Sequence, residues 1–600
     1  MEVTQSNFEQ LLPEIEKAIN GCSFLSVDCE LTGLKVALNN INAFDSPEQY
    51  YKKITRDCKE FLVIQYGITL FRYEKGENRF RHQSFNFYVF RRNLHKYVPD
   101  QRFLCQTSSI DFLIANGFDF NKLFKDGISY LNDTEENASK KLLTEQHEKR
   151  LAFINTNVDE NNDNIPIPES AQVFLDDVVR KLEDFLDGKD TELYLPKCNA
   201  FLRKLVYQVN REKFRDKISL ETKEVEKERV LCATRIKTTE ERGKDEKRNF
   251  SDSLNELNRY LGFSKVIRLI VKSGKLVIGH NFLLDFLHTI EKFLTPLPED
   301  YNDFKECAGS MFSRILDTKF MSSSAPFKSQ ISTTILGSLL GILTEAPFGL
   351  PKTEVESGKV GYSTDNPKEH EAGYDSFITG LCFLAMWQHL GFVRNWSDED
   401  IFGELGFALL KPYLNKIFLM FLTDNQYLHV AGHDLNPSRE HVFYLTFPKE
   451  WKTDNIAQLF SPFGSVQVAW LSETSAYVGL FKKEHAPFVL QTLSKGDVFT
   501  ITTFARRQSQ LAGIKIPCLS PLKTRKSSEP PGACRKRCKT DNSGGVIPKR
   551  SFEPIEEEMD ESVSETENET IQSSSSEDAN ESDEPAVKKR KTFAECDSWD

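Results

Sequence analysis

The 600-residue chain contains no run of about 18 apolar residues, the length a membrane-spanning helix requires. Its longest candidate, Phe407 to Leu422, is interrupted by Lys411 and Lys416. The first residues, Met1-Glu2-Val3-Thr4-Gln5, lack the basic-then-apolar pattern of a secretory signal. An intracellular protein with no membrane partner is therefore expected. Cysteine is sparse: the twelve are scattered, as at Cys22, Cys58, Cys198 and Cys382, with neither a disulfide framework nor zinc-site spacing. Cys534 and Cys538 stand four apart without neighbouring histidines and read as free thiols.

What is present is a long chain with the means to build cores. Apolar residues make up 39%, charged residues 28%, and there are 46 phenylalanines, suited to cores or to base stacking. Roughly two to four domains is the expectation at this length. The net charge of -12 argues against nucleic-acid binding only until its distribution is considered. Ser551 to Pro585 hold fourteen acidic residues and no Lys or Arg, and the rest of the chain sits near +2 without them.

Along the chain, Phe24 to Cys29 reads as a buried strand. Phe61 to Tyr73 and Ser84 to Phe90 read as a hairpin around the turn-like Glu74 to Asn78. Asn155 to Asn164 suits a linker, and Ala171 to Lys237 a small helix-and-strand unit. The charged segment Glu240 to Lys247 reads as a solvated helix or loop. A second α/β stretch starts at Phe263, with strands at Lys275–Gly279 and Arg314–Thr318 and a helical run from Tyr374 to Leu390. His441–Phe447 and Ala476–Leu480 read as strands of a further small α/β domain, and the chain beyond about Ala512 as disordered. Two α/β halves around a small unit suggest one catalytic domain carrying an insertion.

Asp28 and Glu30 lie two apart in a strand, so both face one side and can converge on one cation. Alone, such a pair is more often an ordinary strand end. Asp285 follows the strand Lys275–Gly279 and falls early in the next helix, near the strand's carboxyl end. Asp375 opens a helix, with His370 five residues before it. Each is ordinary singly, since helix starts attract acids; the order raises the odds. A strand D-x-E, a later Asp after a strand, and H-x4-D at a helix start resemble the DEDD exonuclease superfamily, histidine subclass, whose fold is RNase H-like. That resemblance implies two Mg²⁺ ions, with Mn²⁺ the alternative, about 3.5–4 Å apart in an in-line phosphoryl displacement. Asp28, Glu30, Asp285 and Asp375 would be the ligands, because hard cations take oxygen donors. His370 would be the general base toward the attacking water.

Longer stretches carry a narrower resemblance. Ser84–Phe90 (SFNFYVF), Ser108–Leu113, Gly117–Phe124, Ser273–Asp285 (SGKLVIGHNFLLD), Leu316–Lys319, His370–Phe383 (HEAGYDSFITGLCF) and Phe447–Thr453 (FPKEWKT) are similar to the poly(A)-specific ribonucleases, in the same order over residues 1 to 505. The resemblance implies a 3′-to-5′ exoribonuclease that shortens poly(A) tails and releases 5′-AMP, acting as a homodimer. It implies a mixed-sheet RNase H-like domain in two parts, 1–165 and 241–425. An Arg-x3-His-type α/β domain would be inserted at 166–240, an RNA-recognition-motif-like domain would follow at 435–507, and a disordered tail at 508–600. Family positions that contact adenosine match Leu34, Ile110, Phe112, Lys319 and Leu336, and the position that stacks the 5′ cap matches Trp451. Core packing is an equally ordinary role for Ile110, Phe112 and Leu336. Two features depart from the pattern. Arg203 is followed by Tyr207 where the inserted domain's signature wants His, and Ala476–Leu480 carries one aromatic, Tyr477, where the recognition motif stacks bases. Basic runs at Lys523–Arg550 and Lys588–Lys591 suggest nuclear import, hence nucleus and cytoplasm. Rival readings are a non-catalytic RNA-binding protein on this fold, a DNA-proofreading exonuclease, and a soluble trimmer of non-coding RNA 3′ ends.

Overall fold

The structure is a computed structural model. It describes the chain apart from residues 35–40, 93–99, 156–164, 215–216, 226–227, 236–238, 494–497 and 512–600. The linker, tail, basic-run and Cys534/Cys538 expectations therefore fall wholly or almost wholly outside the described residues.

The organising element is a mixed sheet. Its strands are β1 (Glu2–Val3), β2 (Phe24–Leu31), β3 (Val63–Glu74), β4 (Arg79–Tyr88), β5 (Leu276–Gly279), β6 (Ile315–Asp317) and β7 (Thr353–Val355). Their spatial order is β1-β4-β3-β2-β5-β6, with β7 also on β4. β2, β3 and β4 are antiparallel neighbours, whereas β5 runs parallel to β2 and β6 parallel to β5. The hairpin expected at residues 61–90 is β3–β4, closed by a short turn at Lys75–Glu77 with Asn78 in the left-handed region (φ 46°). A side chain that bonds locally tolerates that conformation, which suits Asn.

The first nine residues of β3 are all buried, because apolar layers cover both faces of the sheet. One layer contains helix α1 (Leu283–Phe293) with Phe8–Gly21, Pro47–Glu60 and Ser264–Ser273. The hairpin of Lys416–Phe418 and Tyr427–His429 joins this same core, so it reaches Val430. The other layer is built on helix α2 (Ala372–Phe392), in which every residue from Ala372 to Gly391 is buried. A helix apolar all round is one enclosed by its protein. Close approach is what glycine permits here: a Cβ at Gly67 of β3 would run into the Ala372 carbonyl, and one at Gly380 into the Phe71 ring. The seam is also bonded, Ser26 Oγ donating to the Ser376 carbonyl at 2.6 Å and Thr69 Oγ1 meeting Ser376 Oγ at 2.9 Å.

Helices Asp133–Asn155 and Thr239–Tyr260 lie against one another. The charged run 240–247 is on the second, yet Glu246 is buried, paired with His147 (3.2 Å) and Arg150 (3.3 Å). The solvated reading fails at that residue because one helix face is covered. Between these helices, Glu169–Asp187 and Ala200–Lys213 pack on a three-stranded antiparallel sheet with its own core. Within it Arg203 turns back to the Cys198 carbonyl, and the Tyr207 hydroxyl bonds Thr222 Oγ1 at 3.1 Å.

Residues 442–503 form a β-α-β-β-α-β unit: Val442–Thr446, Thr453–Phe460, Val466–Ser472, Ser475–Leu480, Ala486–Leu493 and Thr500–Thr503. Its fourth, first, third and second strands lie side by side in that order, as in an RNA-recognition motif. Two of these strands, Val466–Ser472 and Thr500–Thr503, go beyond those read from the sequence. No helix among the described residues is long and apolar enough to cross a membrane.

Candidate active site

Asp28 and Glu30 sit near the carboxyl end of β2, opposite Gly67 and Gln65 of β3, and the pairing register shifts between Glu30 and Leu31. Such bulges recur beside active sites because they redirect side chains. The absent side chain at Gly67 lets the start of α2 close on the strand, which brings Asp375, in the first turn of α2, to the two acids. Among the described residues Asp28, Glu30 and Asp375 form a group whose carboxylate oxygens all lie within 4.8 Å of one another. Glu30, Asp285 and Asp375 are buried. Burial, with the charges of Asp375 and Asp285 added, pushes the Glu30 carboxyl well above the usual range. Like charges crowded in low dielectric are costly unless a cation neutralises them. An all-oxygen donor set of this kind fits a hard divalent ion such as Mg²⁺ or Mn²⁺.

Asp285 falls in the first turn of α1, as expected, but is not a member of the three-carboxylate group. It bonds the thiol and backbone of Cys29, and burial leads the causes that push its carboxyl up to about 7. Cys29, between Asp28 and Glu30, has its own thiol pushed well up by burial and by these acids. Cys29 is a free thiol facing a proposed ligand, and the sequence analysis did not single it out. Strand alternation signals it: Cys29 points opposite to Asp28 and Glu30.

His370 is half-buried, and its backbone N–H donates to Asp375 Oδ2 at 3.0 Å. Its ring meets the Phe112 ring edge-on, centroids 4.6 Å apart, so Phe112 borders the site. Ile110 is on the same helix, Thr107–Ala115, and half-buried. Leu34 is half-buried, its N–H donating to Gln106 Oε1 at 3.1 Å, and it leads into the residues left undescribed. Lys319 is buried in the short helix Thr318–Ser322, its N–H on Asp317 Oδ1 at 2.9 Å. That Asp317 carboxylate also accepts the Asn281 and Phe282 N–H groups (3.1 Å each), joining the Lys319 segment to the approach to α1. Leu336 starts the helix Leu336–Thr344 and is packed in the α2 core, where its contacts are those of a core residue. Trp451 lies in the unit of residues 442–503: it stacks on Phe447 (5.9 Å, 6°) and with Trp470 lines a cavity of about 730 Å³.

A trio of converging acids, two of them buried and Asp28 half-buried, with a histidine beside it on a mixed sheet marks a metal-dependent nuclease class. Comparison with known proteins narrows it. Residues 3–383 match the CAF1 family ribonuclease description, and residues 432–510 an RNA binding domain. The chain is 40% identical over 516 residues to the Xenopus laevis poly(A)-specific ribonuclease, covering 84% of this chain and 81% of the relative. It is 42% identical over 517 residues to the Danio rerio protein of that name, covering 84% and 77%. The chain belongs to the CAF1 ribonuclease family, in its poly(A)-specific ribonuclease branch. Among solved structures it is similar to the Mg²⁺- and Mn²⁺-bound form of S. pombe Pop2p, at 14% identity and a TM-score of 0.32, covering 64% of this chain and 90% of that one.

Proposed function

We propose that this chain is a 3′-to-5′ exoribonuclease that shortens poly(A) tails, hydrolysing the terminal phosphodiester and releasing 5′-AMP. The observation that carries it is the convergence of Asp28, Glu30 and Asp375 beside His370, in a chain about 40% identical to poly(A)-specific ribonucleases. Asp28, Glu30, Asp285 and Asp375 would hold divalent cations, Mg²⁺ or alternatively Mn²⁺. When bound, these supply positive charge to the oxygens of the phosphodiester under attack. His370 would take the proton of the attacking water as its oxygen bonds to phosphorus and the P–O3′ bond breaks, the departing 3′ oxygen taking a proton from solvent; an imidazole is suited to proton transfer near neutral pH. Phe112 and Ile110, on one helix beside His370, with Leu34 offer apolar surface to the last adenines, and Lys319 a positive charge to a phosphate. Leu336 belongs to the same proposed set of adenosine-contacting positions.

The reading extends to a homodimer, to Trp451 stacking the 5′ cap, and to residence in nucleus and cytoplasm. It divides the chain at 1–165, 166–240, 241–425, 435–507 and 508–600. In the inserted unit, Arg203 and Tyr207 are occupied by partners inside the unit, which favours a supporting role there over RNA contact.

The test incubates the purified chain with 5′-labelled RNA ending in an A tail or a U tail, with Mg²⁺ or with EDTA. Stepwise loss of the A tail alone, in Mg²⁺ alone, is the expected result. Equal loss of both tails removes the poly(A) preference, and no loss in Mg²⁺ removes the enzyme.

A further inference from the structure

The backbone of His370 is in the left-handed region, φ 65°. For a residue with a Cβ this conformation costs on the order of 1–2 kcal/mol and persists only where surroundings enforce it. The enforcing contacts lie one to three residues on. Glu371 is the residue before α2, and its side chain makes no capping bond to the helix. Its carboxylate instead accepts the Tyr362 hydroxyl and the Asn86 Nδ2 amide, the latter at 3.3 Å, with Lys368 Nζ at 3.5 Å. Two N–H groups that a helix start leaves without intrahelical partners are taken up by the sheet. Asn86 Oδ1 accepts the Gly373 N–H at 3.1 Å, and Gln65 Oε1 accepts the Ala372 N–H at 2.9 Å. Asn86 thus grips both sides of the turn, donating to Glu371 and accepting from Gly373. The fit needs glycine at 373, where a Cβ would stand 2.5 Å from the Tyr362 hydroxyl and 2.9 Å from Asn86 Cβ. Asn86 and Gln65 are each 2% exposed, so these are interior bonds, hard to replace by water.

We propose that Asn86, Glu371 and Tyr362 are positioning residues that clamp the turn at 370–373 and so hold His370 for proton transfer, touching neither RNA nor metal. This rests on the reading of His370 as the base. Gln65 completes the anchor, and Gly67 admits the α2 turn against β3. The clamp fixes the imidazole indirectly, through backbone geometry; it makes no contact with the reacting atoms. Misplacing a catalytic group by about 1 Å costs on the order of a hundredfold in rate.

The experiment measures kcat and KM of the full chain on A-tailed RNA at saturating Mg²⁺, with thermal unfolding recorded beside them. Tyr362→Phe deletes one hydroxyl, and Glu371→Ala deletes the shared acceptor. Both are expected to lower kcat about tenfold or more with KM within about twofold, as loss of an interaction that serves the transition state predicts. Glu371→Gln keeps an acceptor for the Tyr362 hydroxyl and is expected to recover most of the kcat lost in Glu371→Ala. His370→Ala is run alongside. If it is strongly impaired while Tyr362→Phe and Glu371→Ala turn over within about twofold of wild type, the clamp is overturned and the base stands. A rise in KM at constant kcat, or a kcat loss that only follows a fall in unfolding temperature and that Glu371→Gln does not recover, also overturns the clamp. Near-normal kcat in His370→Ala overturns the base assignment and the clamp with it.

Discussion

The molecule contains two sheets whose functional faces are finished in opposite ways. The nuclease sheet ends in buried carboxylates, with Glu30 pushed up by burial and by its acidic neighbours. The sheet of the RNA-binding unit ends in rings, and the protein's own chain covers them. Across that face Ala469, Tyr477 and Tyr444 lie in register. Phe44, from the nuclease part of the chain, meets Tyr477 edge-on at 6.4 Å, and a Cβ at Gly479 would block it. Phe504 lies 5.1 Å from Tyr477, the Arg507 guanidinium 4.3 Å above Tyr444, and Gln508 Nε2 donates to the Tyr477 hydroxyl at 3.1 Å. Arg439 fastens the seam by donating to the Phe44 and Asp45 carbonyls. Charge brought together without compensation calls for a ligand, whereas rings that find other rings are already satisfied. The first face is therefore built to bind, and the second is used to hold two parts of one chain together.

The largest expected effect breaks the first face. Asp28→Ala or Asp375→Asn lowers cleavage of A-tailed RNA by on the order of a thousandfold or more while the unfolding temperature stays level or rises, since one repelling acid is gone. Near-normal turnover in either variant would remove the metal assignment. Next comes the second face. Phe44→Ala costs about 3 kcal/mol at the seam, read as a lower-melting transition and earlier proteolysis of the RNA-binding unit. Cleavage of a short A tail stays within about threefold of wild type, because the acids are untouched. If Phe44→Ala instead abolishes turnover with the unfolding profile unchanged, the two faces are coupled and the contrast fails.

Mg²⁺ sharpens the comparison from the other direction. At about a hundred times its Kd it adds roughly 2.7 kcal/mol of stability, seen as a rise in unfolding temperature that EDTA reverses and Asp28→Ala lacks. The smallest effect concerns the same sheet away from its acids. Burial lowers the His82 imidazole from 6.5 to about 4, and its ring packs 4.6 Å from Phe377. A depressed histidine binds its proton more readily unfolded, so its share of stability is complete above about pH 6.5 and is lost as pH falls toward about 4. His82→Phe should flatten that window in denaturant titrations at stepped pH. An unchanged profile would locate the acid sensitivity elsewhere.

Much of this could be read in advance, and the reasons differ by residue. The D-x-E of β2 was legible because strand alternation makes two acids two apart share a face. Asp285 and Asp375 were legible as helix-start acids after strands, given their order. The hairpin β3–β4 and helix α2 announced themselves by aromatic and apolar runs. Glu246 was misjudged because a densely charged segment hides which helix face is covered. The strand Thr500–Thr503 has too little apolar pattern to stand out. Nothing near Phe44 in sequence indicates the ring it touches more than 400 positions away.

The sequence by itself determined the kinds of group available: four acids and a histidine in order, glycines at 67 and 373, and rings along the strands of the RNA-binding unit. Local periodicity suffices for this, since a face is set by residues two or four apart. The tertiary structure alone decided which groups meet. It drew Asp375 to Asp28 and Glu30, turned Asp285 toward Cys29, hung the His370 turn on Asn86, and laid Phe44 over Tyr477. Those contacts join residues as far as hundreds of positions apart. They exist only once chain closure places them in a low-dielectric interior, where an unpaired charge is costly and a packed ring is not.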